Sequence, residues 1–295
     1  MNGRLPTQWT ARMIPVLSNS VYLATKYKPS NCPEQDDEFH YFFLKEEKQN
    51  FFCEDYGPYG LAAIYEFTNT LNQKFCDFSN HKIVFCVEEQ ERDVTNGIFL
   101  LGCYMIIMRN MNLEDVFREF HALKLPLSTY RDAALGEADF SLEVVDCWEG
   151  VYKAKKLGWF DEVDIEEYKH YDNPLEGDLH FIIPGKLVAF RGPKTLGQRA
   201  YEDRAGQRTF APVFYAEPFE DMSVQTVVRL NEREYHDAEF EDHGLRCVSL
   251  EFEDSIPPPD VVIAFLQIMR SAKGAVAVHC RSGLGRTGTL CALHL

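Results

Sequence analysis

The chain has 295 residues, 45% of them hydrophobic and 13% aromatic, which is the material of two packed domains and excludes a disordered polypeptide. Its 46 acidic residues outnumber 30 basic ones, giving a formal charge of −16. That balance argues against a nucleic-acid surface or an anionic membrane face and favours basic peptides or proteins as partners.

The first half alternates short strand patterns with longer helical ones. Val21–Ala24, His40–Phe43 and Lys82–Val87 have the apolar character of strands, and Gly60–Leu71 and Asn96–Met108 have helical periodicity. Asn112 is a fitting N-cap for a further helix to about His121. The apolar run from Gly97 to Met108 stops at Arg109, too short to cross a bilayer, and is expected to be a buried helix. This alternation predicts an α/β domain over residues 1–156. An acidic linker helix is expected over 157–180. Asp161, Glu162, Asp164, Glu166, Glu167, Asp172, Glu176 and Asp178 stand there against the single Lys169. Such a run is ordinarily a solvated helix face, and between two domains it can also line a groove.

The second domain is expected over 181–295. Strand patterns fall at Val224–Leu230 and Arg246–Phe252, and Pro257–Pro259 leads into an amphipathic helix opened by Asp260 and ended by Lys273-Gly274. Ala275–Val278 is short and wholly apolar, as a central strand covered on both faces must be.

His279-Cys280-Arg281-Ser282-Gly283-Leu284-Gly285-Arg286-Thr287 follows that strand directly. A strand, a glycine-bearing loop and a helix start together form a cradle of backbone N–H groups for a phosphate. Cys280 at the loop entrance supplies a sulfur beneath the anion, and Arg286 supplies a planar, permanently charged fork. Gly283, Gly285 and Gly288 are expected to permit the tight curvature. The helix terminus and its N–H groups favour the thiolate, the nucleophilic form of Cys280. His279 is expected to orient the loop by hydrogen bonding, and the Thr287 hydroxyl to bond the sulfur and ease release of a phosphocysteine. Cys86 and Arg92 share the Cys-x5-Arg spacing, but three glutamates and no glycine lie between them, so that loop is read as non-catalytic. A leaving alkoxide needs an acid, and the attacking water needs a base. Asp254, 26 residues ahead of Cys280, is the first choice, with Glu251, Glu253 and Asp260 as neighbouring rivals.

The nine cysteines, Cys32, Cys53, Cys76, Cys86, Cys103, Cys147, Cys247, Cys280 and Cys291, are odd in number and form no Cys-x-x-Cys pair. With no signal-peptide pattern at the N-terminus, a reducing compartment is expected.

The stretch His279–Leu290 resembles the signature of the cell-division-cycle-fourteen (mitotic-exit) dual-specificity protein phosphatases. Phe181–Pro193, Val227–Asn231, Tyr130–Gly136, Tyr56–Leu61 and Glu167–Tyr171 are similar to further segments of that family, so the resemblance runs from about residue 15 to the end. It implies two tandem phosphatase-like α/β domains joined by a linker helix, the first non-catalytic. It also implies a hydrolase using a phosphocysteine intermediate, without metal or cofactor. In that mechanism Cys280 attacks, Arg286 and the loop residues Arg281, Ser282, Gly283, Leu284 and Gly285 hold the phosphate, and Asp254 serves as acid and then base. The substrates implied are phosphoserine/threonine-proline sites with basic residues downstream and phosphotyrosine sites. They would dock on acids such as Glu114, Asp172 and Glu176, with no nucleic acid or membrane involved. The resemblance further implies a role in cell division and mitosis, in the nucleus or nucleolus and the cytoplasm, including spindle or centrosome.

Arg281 replaces the family's usual lysine. The sequence ends at Leu295, nine residues after Arg286, whereas the family continues with further helices and a glutamine-bearing loop, so an incomplete second domain with an exposed sheet face is expected. An alternative reading is a pseudophosphatase or phosphoprotein-binding module. A sulfur transferase, phosphoinositide phosphatase or RNA-end phosphatase is disfavoured by the acidic linker.

Overall fold

The computed structural model describes residues 12–17, 20–25, 36–44, 56–123, 125, 127–131, 140–161, 163–204, 207–253 and 256–295. The chain divides into two units, Met1–Val163 and Asp164–Leu295.

The first unit runs β1 (Arg12–Val16), β2 (Val21–Thr25), β3 (Phe39–Phe42), α1 (Leu61–Asp77), β4 (Lys82–Val87), α2 (Glu91–Ile107), α3 (Leu113–His121), β5 (Tyr130–Arg131), β6 (Ser141–Leu142) and α4 (Val144–Lys156). Its main sheet has the order β1-β2-β4-β3, with β2 and β3 parallel to β4 and β1 antiparallel at one edge. Ile83, Phe85 and Val87 of β4 face the large helical core, whereas Val84 and Cys86 face the opposite side with Ala24 and Tyr41. That is the period-two alternation of a strand covered on both faces. Every residue of α2 from Val94 to Ile106 is buried. The helix begins five residues before the expected start because its first turn is polar. Glu91 and Asp93 there complement the positive helix terminus while contributing nothing to an apolar pattern. Asn112 does cap α3, its Oδ1 accepting the Asp115 N–H at 2.9 Å.

The second unit contains α5 (Ile165–Tyr171), β7 (Leu179–Ile183), β8 (Leu187–Phe190), β9 (Tyr201–Arg204), β10 (Gln207–Phe210), α6 (Ala216–Asp221), β11 (Val224–Arg229), α7 (Ala238–Glu241), β12 (Arg246–Ser249), α8 (Pro259–Ser271), β13 (Ala275–His279) and α9 (Gly285–His294). The expected linker helix over 157–180 reduces to the seven residues of α5. Asp164 caps its start by accepting from the Glu166 and Glu167 N–H groups, and Pro174 disfavours helical conformation at Asn173 just past its end. The expected linker also overlaps β7, which belongs to the second unit's sheet.

That sheet has the order β12-β11-β13-β8-β7, parallel except for the antiparallel edge strand β7. The strand β13 is central. Ala275 and Ala277 pack on an aromatic face with Phe190, Tyr215 and Phe219, while Val276, Val278 and Cys280 join the face covered by α8 and α9. Small side chains on one side make room for the rings. The carboxyl ends of four parallel strands therefore meet at one edge, where open α/β sheets bind ligands.

Candidate active site

At that edge β13 ends at His279 and α9 starts at Gly285, so residues 280–284 make the turn between strand and helix. Gly283 has φ +77°, and a Cβ there would fall 2.6 Å from the Phe190 carbonyl oxygen. Only glycine fits that position. Gly285 and Gly288 differ from expectation: both lie within α9, and a Cβ on either meets nothing within 4 Å. The helix there supplies its own curvature, so the loop's unusual geometry is concentrated at Gly283.

The Cys280 side chain is buried, which by itself would raise its thiol. The neighbouring polar groups of Thr287 and the Gly283 N–H, together with the Arg286 charge, outweigh burial and hold the thiol below its ordinary range. The Thr287 hydroxyl is fully enclosed and makes no hydrogen bond within the chain. One guanidinium nitrogen of Arg286, Nη1, donates to the carbonyls of Phe252 (2.8 Å) and Leu230 (3.3 Å). Those carbonyls lie just past β12 and β11, so two strand ends aim the rest of the fork at the loop.

His279 is completely buried between two partners. Its Nδ1 lies 3.0 Å from the Cys280 carbonyl oxygen and its Nε2 lies 2.8 Å from the Tyr235 hydroxyl. Burial, with the Arg229 and Arg286 charges adding to it, pushes its pKa down to about 4. It is a neutral imidazole that holds the loop and carries no exchangeable charge near neutral pH. Arg281 turns outward to Glu232 at 2.7 Å, with Glu234 at 3.8 Å, while its carbonyl accepts the Gly192 N–H. Ser282 is half-buried and Leu284 exposed on the loop's outer side.

Asp254, the expected proton donor, lies outside the described residues. Its rivals Glu251, Glu253 and Asp260 are all exposed. Among the groove acids, Glu114 sits exposed on α3 in the first unit. There it borders a groove of about 530 Å³ lined also by Leu113, Phe117, His121 and Val145. Glu176 is exposed in the second unit. Asp172 is half-buried and spent on His180, with Oδ1 3.6 Å from Nδ1, while Asp178 lies 3.7 Å from Nε2 of the same ring. Among the described residues this is the one group with three metal-ligand side chains close together. The two carboxylates face different ring nitrogens, so the imidazole bridges them as an ion-pair clamp. Burial opposes its charge, but the two aspartates prevail and raise the His180 pKa.

The Cys86–Arg92 pair has no comparable setting. The thiol of Cys86 lies inside β4, not at its exit, and the Arg92 guanidinium lies over the Tyr56 ring at 4.8 Å. No spacing in the sequence marks Gly192, Arg229 or Tyr235 as site residues. Gly192 lies just past β8, where a Cβ would fall 2.1 Å from the Cys280 carbonyl oxygen.

Residues 15–154 match a family model described as dual specificity protein phosphatase, N-terminal half, and residues 216–295 match one described as Swiss Army Knife protein, DSP-PTPase phosphatase domain. The chain is 35% identical over 269 residues to the dual specificity protein phosphatase CDC14C of Homo sapiens, covering 89% of this chain and 59% of that one. It is 36% identical to CDC14A of Mus musculus, covering 95% of this chain and 46% of that one. With the tyrosine-protein phosphatase CDC14 of Saccharomyces cerevisiae it shares 30% identity over 89% of this chain and 49% of that one. The chain thus spans about half the length of the curated relatives it matches. Among solved structures, P. aeruginosa TpbA overlaps with a TM-score of 0.27 at 20% identity, covering 36% of this chain and 56% of that one.

Proposed function

Because this chain belongs to the CDC14 family of dual-specificity phosphatases, we propose that it is a cysteine-dependent protein phosphatase acting on phosphoserine/threonine-proline and phosphotyrosine sites in cell-cycle control, in nucleus and cytoplasm. The observation that carries the reading is the buried Cys280 at the turn from β13 into α9, its thiol held below the ordinary range by Thr287, Gly283 and Arg286 around it.

In this reading the Cys280 thiolate attacks phosphorus, and an S–P bond forms as the bond to the substrate oxygen breaks. Asp254 gives that oxygen its proton. Water then attacks the phosphocysteine, Asp254 takes the water's proton, and the S–P bond breaks to release inorganic phosphate and regenerate the thiolate. Arg286 and the loop N–H groups bind the equatorial oxygens, where charge concentrates at the transition state. His279, neutral and enclosed, takes no part in proton transfer. The overall charge of −16 and the exposed acids, Glu176 among them, support a basic residue after the Ser-Pro step.

The test is phosphate release from phosphoserine-proline peptides with and without a downstream lysine, and from a phosphotyrosine peptide. Wild type, Cys280→Ser and Asp254→Asn are compared. Turnover is expected in wild type only, fastest with lysine present. Activity surviving Cys280→Ser would overturn the mechanism. A single stoichiometric burst in wild type would assign the chain to phosphoprotein capture.

A further inference from the structure

A buried polar chain runs from the end of β11 to the nucleophile. Asp237, just before α7, pairs with Arg229 at 2.5 Å. The Arg229 guanidinium lies over the Tyr235 ring, 5.2 Å from its centroid. From there the chain continues through the Tyr235 hydroxyl to His279 Nε2, and through His279 Nδ1 to the Cys280 carbonyl. Arg229, Tyr235, His279 and Cys280 are each 3% exposed or less, so water cannot substitute for a missing partner.

The direction of the bonds at His279 follows from the carbonyl end. The Cys280 carbonyl can only accept, so Nδ1 carries the ring proton and donates to it. Nε2 is then an acceptor, and the Tyr235 hydroxyl donates to it. The other tautomer would set a nitrogen lone pair against carbonyl lone pairs at 3.0 Å. Gly192 packs against the same carbonyl. A carbonyl fixed outward in this way leaves the following peptide N–H groups facing the sulfur and the anion.

We propose that Tyr235 is a positioning residue for the phosphate loop: with its ring held under the paired Arg229 guanidinium, its hydroxyl fixes the Nδ1–H form of His279 and through it the Cys280 carbonyl. This rests on Cys280 being the nucleophile of the activity proposed above, and it adds a residue that touches neither substrate nor sulfur.

Tyr235→Phe keeps the ring and its edge-to-face contact with Phe240 while removing the donor. The full-length chain is treated with iodoacetamide across pH, alkylation of the Cys280 peptide is followed by mass spectrometry, and kcat/KM is measured on an aryl phosphate. The variant is expected to show a higher alkylation midpoint, by about one pH unit, and an approximately tenfold lower kcat/KM. A purely structural role would lower the melting temperature and leave the alkylation midpoint in place. In a His279→Asn background, where the amide donates without a tautomer to choose, Tyr235→Phe is expected to add less than about twofold. The same tenfold loss in both backgrounds would overturn the proposal, as would Tyr235→Phe matching wild type. A wild-type chain that neither turns over aryl phosphate nor alkylates ahead of an ordinary thiol would overturn the phosphatase reading itself.

Discussion

Gly192→Ala probes the site with one methyl group. The new Cβ would sit 2.1 Å from the Cys280 carbonyl oxygen, 3.2 Å from its carbonyl carbon and 3.0 Å from His279 Nδ1, where ordinary contact begins at 3.4 Å. Two of those atoms are backbone, so no side-chain rotation relieves the clash. Either the segment after β8 or the Cys280 peptide must move by about 1 Å, and the Gly192 N–H bond to the Arg281 carbonyl ties the two movements together. Overpacking of this kind costs about 1–3 kcal/mol of stability. A displacement near 1 Å at the reacting group costs on the order of a hundredfold in rate. The two effects separate experimentally, by thermal melting and by kcat/KM on an aryl phosphate at a temperature where the variant remains folded. Kinetics within about twofold of wild type would refute the claim that Gly192 seats the Cys280 carbonyl.

Two further outcomes follow from burial. His279 titrates near 4 when folded against an ordinary 6.5, so the unfolded chain takes up the extra proton between those values. The stability this residue secures is complete above about pH 6.5 and declines as pH falls toward 4, by about 2 kcal/mol at pH 5. Urea midpoints at pH 7 and pH 5 should therefore fall less in His279→Asn than in wild type, and equal falls would contradict the assignment. In the first unit, a Cβ at Gly102 would lie 2.1 Å from the Trp148 ring. Gly102→Ala should lower stability by roughly 1–3 kcal/mol in thermal melting and leave Cys280 alkylation unchanged. An unaltered melt would mean that α2 and α4 do not need this close approach.

What could be read from the residues was local. Ala275–Val278 announced a central strand, and Cys280, Arg286 and Thr287 sit together because a single turn connects strand to helix. Asn112 declared its cap through its own side chain. What escaped depended on distant parts of the chain meeting. Gly192 matters because β8 runs beside β13, and Tyr235 matters because the segment after β11 folds back under His279. Neither adjacency leaves a periodicity behind. The glycines differ for a related reason: Gly285 and Gly288 look like loop residues in a motif, yet helical backbone accommodates both. The acidic stretch suggested one long helix, but Pro174 sets its limit near Tyr171, and Asp172 was taken by a histidine that charge counting passed over.

Arg286 depends on the carbonyl of Phe252. The same Nη1 also donates to the Leu230 carbonyl. Two segments that leave neighbouring strand ends, one after β11 and one after β12, thus meet on a single nitrogen. A displacement of either segment is passed to the other, and to the start of α9, through that one atom.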